Sequence, residues 1–237
     1  MPDIDYAALD ALTFDCYGTL IDWETGLLAG LRNALGSAGA AAGDDALLEA
    51  FGAAEAVAEA GPYQTYRNIL GSCLDAVAAN LGVSATSEAR AAFGGSVADW
   101  PAFPDSAAAL ATLRRRFRLG VITNCDDDLF AASNRRLGVA FDWVITAEQA
   151  QGYKPRIANF EFAFERIGLP RPRILHVAQS LFHDHVPAKA LGMTTVWIDR
   201  RAGRTGSGAT PPAEARPDAV FPDMATFAAA ATAGSAA

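Results

Sequence analysis

The stretch LDALTFDCYGTL, residues Leu9 to Leu20, decides the fold of this 237-residue chain. Its first part predicts a buried strand over Leu12 to Phe14, which runs into a polar turn at Asp15. Gly18 permits a tight loop there, and the backbone N–H groups of such a loop can cradle an anion. A carboxylate at a strand end that faces a covered cleft is a candidate covalent nucleophile. An Asx turn that closes the strand explains Asp15 equally well.

The segment that follows, from Asp22 to Asp99, is rich in alanine, leucine and glutamate and predicts helices alone. Apolar residues recur at helical spacing, as in the row Leu27, Leu31 and Leu35 and in the row Ile69, Cys73, Val77 and Leu81. Glycines and one proline divide the segment into three to five helices. We therefore expect a helical insert over residues 22–100.

Beyond Pro101 the pattern alternates between helices and short, continuously apolar strands. Such βα units predict a doubly wound α/β fold, a Rossmann-like parallel sheet covered on both faces. The sheet domain takes residues 1–21 and 101–237. Arg200 to Asp218 is expected to be a loop, and Ala228 to Ala237 is expected to be a frayed tail. The predicted strands after the first are 119–123, 143–145, 174–178 and 194–198.

The composition excludes several classes of protein. Lysine and arginine number 19 against 27 acidic residues, a net charge of −8, which disfavours binding to nucleic acids and anionic membranes. No apolar run reaches the roughly 20 residues that cross a bilayer, and the N-terminus lacks the pattern of a secretory signal. Three cysteines without paired spacing argue against a disulfide framework or a zinc site. A cytoplasmic protein is expected.

Ligands of open parallel sheets bind beyond the carboxyl ends of the strands. That rule brings together one set of polar residues at one edge of the predicted sheet, under the helical insert as a lid. The set comprises Asp15, Thr123, Asn124, Lys154, Gln179, Ser180 and Asp184.

Each charged member of this set has a functional and a plain interpretation. Lys154, fixed by Pro155, is expected to keep Asp15 ionised, or else is an ordinary surface lysine. Asp184 is read as a partner of Lys154 or of a water, and not as part of a metal site with its two flanking histidines, because neighbouring side chains diverge. Thr123 and Asn124 supply uncharged donors for an oxyanion or a leaving anion. Asp126 to Asp128 are read as helix-start acids.

These residues, in this order, resemble the haloacid dehalogenase superfamily. The resemblance spans Leu12 to Ile198, and the helical insert fits the cap of that family. It predicts a hydrolase whose nucleophile is Asp15. The matching motifs are Phe14 to Leu20, Val121 to Asn124, Tyr153 to Pro155, and Gln179 to Asp184 with Ala190 to Gly192 after it.

Within the superfamily, the motifs are similar to those of the metal-independent L-2-haloacid dehalogenases. Phosphatases of the family carry a second aspartate where this chain has Tyr17, a poor general acid near neutral pH. Their Gly-Asp pair is replaced here by Gln179 and Ser180. Because Asp15 and Asp184 alone are a thin shell for Mg²⁺, no metal and no other cofactor is expected.

The resemblance implies a two-step hydrolysis of a small-molecule 2-haloacid. Asp15 attacks the carbon that bears the halogen and forms an aspartyl ester, and water positioned by Asp184 and Lys154 then releases a 2-hydroxy acid. Thr19 would hold Asp15, while Thr123 and Asn124 would bind substrate oxygen or halide. Tyr17, Gln179 and Ser180 are counted among the substrate-binding residues.

Three positions depart from the family pattern. The cap arginine that faces the halide aligns near Val57, and Arg67, with Tyr63 beside it, is the expected substitute in the pocket. The plain interpretation of Tyr63, Tyr66 and Arg67 is a packing face of a cap helix. An asparagine of the fourth motif aligns with Leu181, and a tyrosine aligns with Phe160. Trp23 is expected to line the pocket or to seal the hinge.

Three alternatives stay open. The same nucleophile can displace another leaving group from carbon next to a carboxylate, such as a strained ring amine. A phosphatase is disfavoured by Tyr17 and Ser180, and a non-catalytic binding protein on the same fold predicts no chemical role for Asp15. Apolar surface on cap helices also leaves a homodimer open.

Overall fold

A six-stranded parallel sheet forms the centre of the molecule in a computed structural model that describes residues 4–204, 206 and 208–233. The strand order is β3-β2-β1-β4-β5-β6, and every pairing is parallel. The predicted doubly wound α/β fold is thereby confirmed. The strands are β1 (Ala11–Phe14), β2 (Arg118–Thr123), β3 (Trp143–Thr146), β4 (Ile174–Ala178), β5 (Thr194–Ile198) and β6 (Ala219–Phe221).

Strand β1 lies in the middle of the sheet, between β2 and β4, and all four of its residues are buried. Phe14 is aligned with Val121 of β2 and with Val177 of β4. The order of the strands reverses beside β1, which makes the crevice beyond its carboxyl end the expected ligand position in such a sheet. Asp15 follows directly at that crevice.

Ten α-helices accompany the strands in the described residues. None of them is both long enough and apolar enough to span a membrane. The helices are α1 (Trp23–Ala41), α2 (Asp44–Ala60), α3 (Tyr66–Asn80), α4 (Ser87–Gly95), α5 (Ser106–Leu113), α6 (Asp127–Leu137), α7 (Ala147–Ala150), α8 (Ile157–Ile167), α9 (Val186–Ala190) and α10 (Met224–Thr232).

Helices α1 to α4 make up the insert, as the glycine-punctuated pattern predicts. The row Leu27, Leu31 and Leu35 is buried, so one face of α1 packs on its neighbours. Gly36 has a φ of 55°, which places a kink inside α1 that glycine adopts without a steric penalty. The division of the chain into a sheet domain and an insert stays a prediction, which the order of these elements supports.

The insert joins the sheet domain through two adjacent backbone segments. Ile21 and Ala102 form an antiparallel bridge, Asp22 N donates to Pro101 O at 2.8 Å, and Phe103 N donates to Leu20 O at 3.0 Å. The chain therefore leaves the sheet domain and returns to it at one place.

The C-terminal part corrects two expectations. After the loop that begins at Arg200, β6 adds a sixth strand that the sequence pattern did not predict. The expected frayed tail is wrong for residues 228–232, because α10 packs against α5 and buries Phe227 completely. Residues 234–237 of that expected tail lie outside the described residues.

Candidate active site

The nucleophile candidate Asp15 extends β1 by one more backbone contact. Its N–H donates to Val177 O at 3.1 Å, so the position of its Cα is set by the sheet. The following turn closes through Gly18 N, which donates to Ile21 O at 2.8 Å, and Gly18 has a φ of 93° that favours glycine. Asp15 is 6% exposed and faces a cavity.

Lys154 lies at the centre of the charged cluster. Its Nζ donates to Asp15 Oδ1 at 2.9 Å, to Asp184 Oδ1 at 2.7 Å and to Ile122 O at 2.8 Å. The plain interpretation of Lys154 as a surface lysine is therefore wrong, since its side chain is 2% exposed. A lysine ammonium has three N–H donors, and all three are occupied.

Burial and charge pairing shift the pKa values of this cluster in opposite directions. Burial favours the neutral amine of Lys154, but the carboxylates of Asp15 and Asp184 outweigh it and raise the Lys154 pKa. Burial likewise opposes ionisation of Asp184, yet Lys154 and His176 hold the Asp184 pKa well below its usual value. Burial raises the pKa of Asp15, while Lys154 and Thr19 counteract that rise. Asp184 is the more firmly ionised of the two carboxylates.

Thr19 connects the nucleophile to the loop after β4. Its hydroxyl donates to Asp15 Oδ2 at 2.7 Å and accepts from Gln179 N at 2.9 Å. With Lys154 on Oδ1 and Thr19 on Oδ2, the Asp15 carboxylate is fixed in orientation. Gln179 contributes its backbone to this arrangement, while its side chain lines an outer cleft together with Leu181.

Asp184 has its own supporting chain of hydrogen bonds. Asp184 Oδ1 is 3.1 Å from His176 Nε2, and His176 Nδ1 is 2.9 Å from Thr13 Oγ1. The second oxygen, Oδ2, is buried without a hydrogen-bond partner among the described residues. Because a carboxylate oxygen accepts readily, Oδ2 is suited to hold a water molecule at the cavity.

The flanking histidines lie in a π-helical turn, Leu181–His185. Their rings diverge, as expected for neighbouring positions, since His185 Nε2 is 3.0 Å from Ala178 O whereas His183 Nδ1 is 3.1 Å from Ser180 Oγ. Burial lowers the pKa of both histidines to about 4, so both are neutral at pH 7. Ser180 also accepts from His183 N and thereby starts this turn.

Two cavity residues come from the loops after β1 and β2. Tyr17 OH is 3.0 Å from Ser133 Oγ, and its ring contacts Trp100 edge-on. Burial raises the pKa of Tyr17 well above its usual value. Asn124 accepts from Lys154 N at 2.8 Å and donates to Lys154 O at 3.0 Å, which positions the lysine backbone.

The same Asn124 amide reaches the insert, where α2 presents a pair of carboxyl groups that the sequence analysis missed. Asn124 Nδ2 donates to both carboxyl oxygens of Glu59, at 3.1 and 3.2 Å. Tyr66 OH donates to Glu55 Oε1 at 2.7 Å. Glu55 and Glu59 are 3% and 5% exposed. Burial raises the pKa of Glu55 to about 7 and that of Glu59 well above its usual value.

A sequence signal for this pair exists. Residues four apart lie on the same helix face, and Phe51, Glu55 and Glu59 continue the buried face of α2. Two glutamates on an apolar row are rare unless they serve a purpose, because burial of an unpaired carboxylate is costly.

These residues surround a partly open cavity of ≈ 30 Å³, room for about two water molecules. Trp23 lines it, as one of its two interpretations expects. The lining residues are Asp15, Tyr17, Trp23, Glu55, Glu59, Tyr66, Asn124, Lys154, Ser180, His183, Asp184 and Thr210.

Several expected pocket residues lie elsewhere. Arg67 is not at the cavity, because its guanidinium forms an ion pair with Asp128 and donates to Gly94 O at 3.4 Å. Tyr63 stacks on Tyr153 with ring centroids 5.7 Å apart, beside the cavity, in keeping with its packing interpretation. Thr123 is buried, its hydroxyl has no hydrogen-bond partner among the described residues, and it lies outside the set of residues that line the cavity.

The structure also shows where two of the positions that depart from the family pattern lie. Val57 is 77% exposed, so this position of α2 faces solvent and the alignment of a pocket arginine there is wrong. Phe160 is fully buried and packs edge-on against His176 at 5.3 Å. Phe160 thereby packs against the His176 ring whose Nε2 lies at hydrogen-bond distance from Asp184.

The donor set does not fit Mg²⁺. Asp15 Oδ1 and Asp184 Oδ1 are joined by the Lys154 ammonium, and Tyr17 and Ser180 stand where the family's phosphatases have acids. Hard cations require several oxygen ligands, preferably carboxylates. Among the described residues, no three histidine, cysteine or acidic side chains are grouped as metal ligands.

Comparison with known proteins defines the class. A model of the haloacid dehalogenase-like hydrolases matches residues 9–184. The chain belongs to this family of hydrolases, as the motif resemblance predicts.

Individual relatives are more distant. The chain is 29% identical over 109 residues to the haloacid dehalogenase-like hydrolase domain-containing protein 3 of Danio rerio, covering 45% of each chain. It is 26% identical over 147 residues to an (S)-2-haloacid dehalogenase of Pseudomonas putida, covering 60% of this chain and 64% of the relative. The matches thus span about half to two thirds of these curated relatives.

The fold extends over almost the whole chain. The L-2-haloacid dehalogenase of Xanthobacter autotrophicus superimposes with a TM-score of 0.79 at 19% identity, covering 95% of this chain and 99% of that one. At 19% identity, this similarity shows a shared fold and nothing further.

Proposed function

We propose that this protein hydrolyses small substrates by displacement at carbon, through an ester formed on Asp15. The fixed orientation of Asp15 between Lys154 and Thr19 carries this proposal. The cationic partner favours the ionised form of the buried carboxylate, and the fixed orientation directs it at an electrophilic carbon.

The two steps balance as follows. In the first, an Asp15 oxygen bonds to carbon and the carbon–leaving-group bond breaks, with its electron pair departing on the leaving group. In the second, water held at Asp184 Oδ2 adds to the Asp15 carbonyl carbon and the ester opens to the alcohol and the carboxylate. One proton is released when the leaving group is halide. Lys154 stabilises the negative charge that develops on the ester oxygen.

Short 2-haloacids are the first substrate class to test, because relatives with this fold are named for that reaction. A phosphatase is less well supported. Tyr17 stands where its second aspartate would be, and burial keeps the phenol neutral and far from a useful acid.

A second substrate class is supported by a specific observation, the pair of cavity carboxyls. Lys154 has no free N–H for a halide or carboxylate, and Glu55 and Glu59 place two buried carboxyl groups, which a cation would favour in the ionised form, where an anionic substrate would sit. Displacement of a ring nitrogen next to a carboxylate uses the same Asp15 chemistry and brings a cationic group into this cavity.

The experiment compares 2-chloropropionate (both enantiomers), chloroacetate and azetidine-2-carboxylate, with EDTA present. Halide release or ring opening that disappears in Asp15→Asn is the expected result, with the ester on Asp15 trapped by denaturation and detected by mass spectrometry. Exposed Asp99, 88% exposed, provides the control Asp99→Asn. Turnover retained in folded Asp15→Asn would exclude the covalent mechanism. No turnover of any of these substrates by wild type, with phosphate esters and Mg²⁺ turned over instead, would exclude displacement at carbon.

A further inference from the structure

The cavity is lined by more carboxyl groups than cationic groups. It contains four carboxyl groups, from Asp15, Asp184, Glu55 and Glu59, and the lining residues include a single lysine. That lysine is saturated by Asp15, Asp184 and a backbone carbonyl. Neutral His183 adds no positive charge at pH 7. Neither glutamate carboxyl forms an ion pair with a lysine or arginine among the described residues, since the nearby Arg156 donates to the backbone O of Glu59 at 3.3 Å.

Hydrogen bonds to the glutamates come from neutral donors. Tyr66 OH serves Glu55, and the Asn124 amide serves Glu59. Both donors also fix the direction of the carboxyl groups, since Tyr66 lies on α3 and Asn124 follows β2. Two elements thus hold the pair at the boundary of sheet domain and insert.

A second feature of the cavity points to a ligand beside this pair. His183 is 9% exposed and lines the cavity, and its Nε2 has no hydrogen-bond partner among the described residues. Nε2 lies 3.6 Å from Glu59 Oε2, beyond a hydrogen bond. In the tautomer in which Nδ1 donates to Ser180 Oγ, the Nε2 lone pair is free to accept from a ligand N–H.

Aromatic rings complete the surroundings. Tyr17, Trp23 and Tyr66 line the same cavity. Aromatic faces attract cations by the negative potential above the ring, most strongly where water is excluded. Carboxyls, a neutral imidazole and aromatic rings are together a recognition chemistry for an ammonium group and not for an anion.

We propose that Glu55 and Glu59 form a binding site for an ammonium group of the substrate, with His183 Nε2 as a further acceptor. The substrate class is a small amine or amino acid, and the inference rests on the proposed function for what happens next at Asp15. Recognition requires only binding, so it is testable without turnover.

The test is calorimetric titration of folded wild-type protein with azetidine hydrochloride and, as the matched anion, sodium propionate, at pH 6.5. Azetidinium is expected to bind and propionate is not. Titrations in two buffers of different ionisation enthalpy should show protons released on binding, because a cation favours the ionised carboxyls. A merely steric pocket would release none.

Glu55→Gln and Glu59→Gln keep the shape of the site, and each amide oxygen can still accept from Tyr66 or Asn124. Each is expected to bind azetidinium at least tenfold more weakly and to release fewer protons. Exposed Glu49 lies on the same helix, and Glu49→Gln should bind as wild type does.

Three results would overturn the proposal: no azetidinium binding by folded wild type, tighter binding of propionate, or unchanged binding in both Gln variants. Failure of the proposed function is seen separately, as turnover that survives Asp15→Asn. If amines bind but no Asp15-dependent turnover is found, the proposed ammonium site stands and the proposed reaction is excluded.

Discussion

Asp126 of the sheet domain caps the first turn of helix α3 in the insert through the backbone of Tyr66. Asp126 Oδ1 accepts from Tyr66 N at 2.7 Å, and Oδ2 accepts from Arg67 N at 3.2 Å. The contact satisfies N–H groups that a helix start leaves unpaired, and it places a carboxylate at the positive end of α3. The cap thus joins residues 60 positions apart.

Removal of the Asp126 carboxylate should weaken the attachment of α3 to the sheet domain. Asp126→Ala is expected to lower the free energy of unfolding by about 1–2 kcal/mol, the range for a lost helix cap. Asp126→Asn, whose amide oxygen still accepts, should recover part of the loss. Urea unfolding measures both, with Asp99→Ala as the exposed control. An Asp126→Ala protein as stable as wild type would show that the contact contributes nothing.

Lys154→Met should leave Asp15 and Asp184 buried without a counter-charge. A broken buried pair costs about 3–5 kcal/mol of unfolding free energy. Without Lys154, the pKa values of both carboxyls rise, so the deficit relative to wild type should grow as pH increases and shrink near pH 4, where the carboxyls can take up protons. Urea unfolding at pH 4 and pH 8 tests this. An equal deficit at both pH values would contradict a charge origin.

Thr19→Val removes the hydroxyl that binds Asp15 Oδ2 and leaves Gln179 N without its acceptor. Hydrogen bonds to charged groups contribute about 1.5–3 kcal/mol, so kcat should fall roughly tenfold to a hundredfold. Thr19→Ser keeps the donor and should restore most of the rate. The measurement uses whichever substrate shows Asp15-dependent turnover. A Thr19→Val rate equal to that of wild type would show that the hydroxyl contributes nothing, and a slow Thr19→Ser would show that the methyl group is needed as well.

Glu55 gives a pH dependence with a definite sign. Its pKa rises on folding from 4.5 to about 7, so the folded state holds a proton that the unfolded chain has lost. Stability is therefore unaffected below pH 4.5, falls between pH 4.5 and pH 7, and then stays level. Glu55→Gln should remove this fall, making the variant more stable than wild type at pH 8 by up to about 3 kcal/mol. Equal stability curves for the two proteins would contradict it.

Helix α10 should be a structural part of the sheet domain. Phe227 is fully buried, and Phe227→Ala is expected to cost about 3–5 kcal/mol. Val220, 42% exposed on β6, supplies the control Val220→Ala with a small cost. Denaturant unfolding distinguishes them, and a Phe227→Ala cost below that of the control would mean that α10 is dispensable.

The parts of the site that could be predicted are those fixed by backbone topology. A parallel sheet brings the ends of β1, β3 and β4 to one edge, so the meeting of Asp15, Lys154 and Asp184 follows from the strand pattern together with the motif resemblance. The insert and most strand bounds follow from hydrophobic periodicity, which is a local property.

The parts that could not be predicted depend on contacts between distant segments. Glu55 and Glu59 share a helix face with Phe51, but their burial depends on contacts with Tyr66 of α3 and with Asn124 after β2, which lie far away in the sequence. The sequence predicts Arg67 in the pocket, but Arg67 forms an ion pair with Asp128 on α6 instead. Helix α10 is alanine-rich, and its burial depends on α5.

The antiparallel bridge between Ile21 and Ala102 has a consequence for how such chains diversify. Since the two backbone segments that flank the insert lie side by side, a module of a different length or shape can be grafted between them without moving β1. Asp15 precedes the graft point and Lys154 follows it, so the reactive groups stay with the sheet while the graft supplies new walls. Selectivity and chemistry are thereby free to change independently.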